Sequence, residues 1–132
     1  MRRAEKIVAF CLCFLCIMPV RAATLADQQR CAQMAQAKWD RELPHHSFDD
    51  YRNHYSEKLG KCLMQRHFVL ANGKTIWITE DLIDAGEGSG YGAFISYEDV
   101  GGPVNVIGCN VGSTECHSLV EFDELVAPFM AN

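Results

Sequence analysis

Three histidines and two aspartates fall within ten residues, at His45, His46, Asp49, Asp50 and His54. Neutral imidazole is a good ligand for zinc, copper or nickel, and a loop that gathers several can hold an ion. The spacing H-H-x-x-D-D matches no recognised ligand pattern, and no helical H-x-x-x-H occurs in the chain. Metal binding through His45, His46 and His54 is therefore an alternative reading, weighed against plain solvated turn residues. His67 alternates away from Met64 and Phe68 onto the more polar side of its strand, and His117 follows a cysteine at a helix start; both read as structural.

Cysteine chemistry is the next possibility. Seven cysteines occur, of which Cys11, Cys13 and Cys16 lie in the first twenty-two residues. The remaining four, Cys31, Cys62, Cys109 and Cys116, contain no C-x-x-C for redox work and no two short-spaced pairs for zinc. No other catalytic pattern emerges. Ser89 stands in G-S-G ahead of a strand, so a nucleophile elbow is absent. Gly86, Gly88 and Gly90 precede no helix that would bind a phosphate. Asp84, Glu87 and the neighbouring Glu80-Asp81 fit no calcium-loop spacing. The acidic pairs Asp49-Asp50, Glu80-Asp81 and Glu98-Asp99 are adjacent in sequence, which on a strand points them to opposite faces. The chain is not expected to be an enzyme, and neither a catalytic residue nor a cofactor is assigned; a hydrolase would have to work without a recognisable motif.

The compartment follows from the amino terminus. Residues 1–6 are net-positive, residues 7–20 are apolar, and Val20 and Ala22 set compact residues at positions −3 and −1 of a cleavage site. That is the three-part pattern of a secretory signal peptide. A membrane anchor would want about 20 apolar residues, and this run is shorter and carries Pro19. Residues 1–22 are therefore expected to be removed, leaving residues 23–132 as one small domain that is periplasmic or secreted and carries no membrane anchor. Export places the four remaining cysteines where thiols oxidise. Four cysteines allow three pairings. Cys109 and Cys116 flank a short turn, and a helix face carrying Cys31 lies within reach of a strand carrying Cys62, so Cys31–Cys62 and Cys109–Cys116 are the expected bridges.

Charge narrows the partners. Residues 23–132 hold eight Lys and Arg against sixteen Asp and Glu, and all eight cations lie at or before Lys74. From Thr75 onward there are ten carboxylates and no Lys or Arg. Such a surface repels phosphates, which argues against nucleic acid, and attracts a protein or other basic ligand to the acidic carboxyl-terminal half.

The elements that must position these groups read as follows. Thr24 and Asp27 form a capping-box-like start to a helix over residues 25–41, with Cys31, Ala35 and Trp39 on one face and Pro44 beyond its end. A short strand is expected near residues 51–55. Residues 61–71 put Cys62, Met64, Phe68 and Leu70 on one side, interrupted by Arg66. Asn72-Gly73 then signals a tight hairpin into residues 74–79. Residues 91–97 and 104–109 supply two more strands around a glycine-rich bend. Ser118 and Glu121 open a last helix with Phe122, Leu125, Val126 and Phe129 at helical spacing, which Pro128 should distort or end. The sum is an α+β fold: an antiparallel meander of four to five strands with an amino-terminal and a carboxyl-terminal helix packed on it, both on one sheet face, and two disulfides.

Residues 51–62 (YRNHYSEKLGKC) and 116–130 (CHSLVEFDELVAPFM) resemble small exported proteins of Gram-negative bacteria that share an H-Y-x-x-K-L-x-K-C block and a final cysteine followed by an E-F-D-x-L-V helix. The resemblance implies a periplasmic address and brings no activity with it. A non-catalytic binding or inhibitor-like module is the function expected of such a stapled scaffold.

Overall fold

The computed structural model describes residues 22–42 and 44–131. The signal peptide expected over residues 1–22 lies outside the described residues apart from Ala22. Thr24 opens α1 (Leu25–Arg41): its hydroxyl accepts the Asp27 N–H, and the Asp27 carboxylate accepts the Thr24 N–H. Two orphan donors of the helix start are thereby satisfied. Lys38 and Arg41 stand in the last turn, where positive charge suits the helix end.

After α1 come β1 (Asp50–Ser56), β2 (Lys61–Asn72), β3 (Thr75–Asp84), β4 (Gly90–Asp99), β5 (Val104–Val111) and β6 (Thr114–Glu115), followed by α2 (Leu119–Met130). The strands form one antiparallel sheet in chain order, so the fold is an α+β meander carrying two helices. The described sheet has six strands because Thr114 and Glu115 fold back onto Val111 and Asn110; two residues are too few to show a period in the sequence. In the β2–β3 hairpin Asn72 pairs with Thr75, so the two-residue loop is Gly73-Lys74, one position later than expected. Gly73 supplies the positive φ, 63°, that this turn requires.

The helices do not share a face. On β2, Cys62 and Met64 point to one side and Leu63 to the other. Cys31 and Ala35 of α1 pack with Cys62, Met64, Ile83 and Ala85, with Trp39, Tyr51 and Tyr55 at the margin. On the opposite side Phe122 and Val126 of α2 pack with Leu63, Leu82, Phe94, Cys109 and Val111. The reason is that β2 and β3 are apolar on both sides: Leu63 and Met64 are adjacent and fully buried, as are Leu82 and Ile83 within a few per cent. A strand pair of that kind needs a cover on each face.

The two disulfides are Cys31–Cys62, spanning 31 residues, and Cys109–Cys116, spanning 7. The first joins α1 to β2; the second joins β5 to the segment that enters α2. Arg66, whose side chain interrupts the apolar side of β2, donates two hydrogen bonds to Asp81 across the strand and one to Glu42 at the end of α1. It thereby locks helix, β2 and β3 together by paired charge. Among the described residues no helix is long and apolar enough to cross a membrane.

Candidate functional site

The histidines of the candidate metal loop each have separate local surroundings. His45 stacks on Trp39 with ring centroids 3.9 Å apart, and its Nε2–H donates to the Trp39 carbonyl. His46 donates its backbone N–H to Asp49, whose other carboxylate oxygen accepts the Val69 N–H. Burial pushes the Asp49 carboxyl up, but these donors and the His46 ring hold it below its ordinary value. Asp49 thus clasps the loop to β2. His54 lies in β1 opposite Leu63, on the α2 side of the sheet, and its Nε2 is buried without a hydrogen-bond partner among the described residues. Among the described residues no group of three or more His, Cys, Asp or Glu is arranged to hold a metal ion.

A second cluster escaped the sequence reading. Arg52 donates to Gln65, Gln65 donates to both Glu80 and Asp123, and the His67 ring sits 2.7 Å from the other Glu80 oxygen. These side chains line a polar cleft of about 370 Å³ with Asp50 and Tyr51. Gln65 and Glu80 are nearly fully buried, so each needs the partners it has. The lining contains no serine, threonine or cysteine, and the Tyr51 hydroxyl is committed to Gln36. The cleft is lined by hydrogen-bonding and ionisable groups. The signal was present in the hairpin: pairing Asn72 with Thr75 sets His67 opposite Glu80, which independent inspection of each strand could not show.

The acidic half divides into two groups. Glu80, Asp81, Asp84, Glu87 and Asp123 contact cationic or histidine side chains from β1 and β2: His67, Arg66, Lys61 and Arg52. Lys61 bridges Glu87 and Asp84, and both contacts raise its pKa well above the usual lysine value. Glu98, Asp99, Glu115, Glu121 and Glu124 have no such cation among the described residues. Asp99 accepts the Thr75 hydroxyl, and Glu121 accepts the His117 N–H at the start of α2. The carboxylates without an ion-pair partner thus lie on β4, β6 and α2.

The same region also exposes apolar surface. Val104, Val106, Ile78, Leu119 and Val120 line a groove of about 310 Å³ between β5 and the start of α2, with Phe94 and the buried Ser96 as its floor. Val104 is 56% exposed, Ile107 58% and Val120 67%. Glu98 is the cross-strand partner of Val104, Glu115 lines the adjoining cleft with Val106 and Ile107, and Glu121 and Glu124 follow Val120 on α2. Isolated exposed valines are ordinary; here several flank one groove, whose lining also includes His117 and Ser118. No family model, curated protein or solved structure matches this chain.

Proposed function

We propose that this chain is a small exported, non-catalytic binding module that engages a basic polypeptide through the end formed by β4, β5, β6 and α2. The observation that carries the reading is an exposed apolar groove with Glu98 across from Val104 of its wall and with Glu121 and Glu124 on the helix that forms its other side, none of which has a cationic partner among the described residues. Two disulfides give a scaffold suited to an oxidising compartment, in keeping with the signal-peptide pattern and with the likeness to small periplasmic proteins of Gram-negative bacteria. Apolar burial would supply affinity, and the carboxylates would supply steering and selection of positive charge.

The test is capture from a periplasmic extract on immobilised protein spanning residues 23–132. The partner should be released as salt rises toward ~0.15 M, where the Debye length falls to about 8 Å. Glu115→Lys with Glu124→Lys should abolish capture, whereas Asp40→Lys with Glu57→Lys, an equal change in net charge at the α1 end, should not. A partner retained by the first double variant, or insensitive to salt, sinks the reading.

A further inference from the structure

We propose that the partner segment docks as an added β-strand on the free edge of β5, its apolar residues entering the groove and its lysines or arginines meeting the carboxylate rim. This rests on the reading that the acidic end takes a basic polypeptide, and it specifies the mode.

The edge is open. β6 pairs with β5 at Asn110 and Val111, and the Cys116 N–H reaches the Cys109 carbonyl. Over residues 104–108 the outer side of β5 has no strand partner among the described residues. Edge strands are ordinarily guarded by charged side chains or by a covering element. The opposite edge, β1, is guarded by the charged Asp50 and Arg52 and by α1 lying along it, whereas α2 lies against both β1 and β5. Residues 104–108 read Val-Asn-Val-Ile-Gly, without a charge. Pro103 stands before them, and a bulge lets Ser96 pair with Val106 and Ile95 with Gly108, leaving Ile107 as the extra residue. These two features bound the open stretch, so the added strand is short.

The groove lies beside this edge. Val104 and Val106 of β5 form its wall, so a docked strand would set alternate side chains against Val104, Val106 and Val120. The carboxylates fix the chemistry of the occupant. A second copy paired edge to edge would bring the carboxylates Glu98 and Glu115 of each protomer toward the other, which like charge disfavours. A segment alternating apolar and basic residues meets both the apolar and the charged requirement.

In strand addition the main chain supplies much of the affinity, so the probe need not be the natural partner. The experiment uses the protein spanning residues 23–132 and a capped nonapeptide alternating lysine and valine. Its control is the same peptide N-methylated at every residue, which keeps side chains and charge and removes backbone donors. Binding is followed by titration and by amide exchange. The unmodified peptide is expected to bind at low salt at least tenfold tighter than the methylated one and to slow exchange of amides within residues 104–108. Val106→Lys should weaken binding at least tenfold, whereas Val100→Lys, an equal charge change in the β4–β5 turn, should change it less than threefold. If both peptides bind equally and the two variants behave alike, strand addition is overturned while the acidic docking end survives. If neither peptide binds at low salt, both readings fall. Self-association of the protein through residues 104–108 would make a second copy the occupant and overturn the proposal.

Discussion

Deleting the Cys31–Cys62 bridge should destabilise the protein more than deleting Cys109–Cys116, and the two losses should be separable by where the chain loosens. In the chain-entropy model a bridge spanning 31 residues stabilises by about 3.7 kcal/mol and one spanning 7 by about 2.4 kcal/mol, a difference of about 1.3 kcal/mol. All four cysteines are buried, so replacement of either pair by alanine leaves gaps of similar size and the difference stands. For a domain of this length it corresponds to roughly 5–10 °C in Tm. Without the first bridge α1 is held by Ala35 and Trp39, by the Gln28 side chain on the Tyr55 backbone, and by the Tyr51 hydroxyl on Gln36. Differential scanning calorimetry of Cys31→Ala/Cys62→Ala and Cys109→Ala/Cys116→Ala gives the order. Hydrogen exchange should then show α1 amides accelerated in the first variant while the β2–β3–β4 centre keeps its protection. An equal or larger Tm loss on deleting Cys109–Cys116, or unchanged exchange in α1, would refute the reasoning.

Other outcomes follow from single residues. Asp84, buried, accepts the Gly86 and Glu87 N–H groups and pairs with Lys61; burial pushes its carboxyl up, but these partners hold it below its ordinary value of 3.8. Its contribution is therefore fully present above about pH 5 and is lost as pH falls through the depressed value; Asp84→Asn should cost about 1–3 kcal/mol at pH 7 and progressively less below pH 4, as read by urea unfolding at stepped pH. Glu80→Ala strips a partner from both Gln65 and His67 and should cost about 1–3 kcal/mol, with a coupling of at least ~0.5 kcal/mol to His67→Ala in a double-mutant cycle. His54→Phe removes a buried ring nitrogen that has no partner among the described residues, so thermal unfolding should show a change of less than about 1 kcal/mol or a gain; a larger loss would mean that the nitrogen is satisfied.

Local chemistry was legible wherever it depended on neighbours in the chain. Thr24 and Asp27 marked the start of α1, Ser118 marked α2, and glycine at position 73 marked the hairpin, because caps and turns are decided within a few residues. Alternation placed Cys62 and Met64 on one side of β2 and Ile76 and Ile78 together on β3, and with the helix period of Cys31, Ala35 and Trp39 it paired the cysteines correctly. The adjacent apolar pairs Leu63-Met64 and Leu82-Ile83 also announced two buried faces, a signal hidden by attention to the period-two residues alone.

Relations between distant residues were settled only by tertiary structure. Amphipathic period tells which side of a helix is covered and never which face of a sheet covers it, so the placement of α1 and α2 on opposite faces required the packed core. Charge shows the same division. The sequence by itself determined that residues 75–132 contain ten carboxylates and no Lys or Arg. Strand pairing then decided which of them are compensated, because register set Asp81 beside Arg66, and Glu80 beside His67, while Glu98, Glu115 and Glu124 have no ion-pair partner among the described residues. The strength of a charge pair depends on its distance in space, whereas sequence distance says nothing about separation once a sheet has formed.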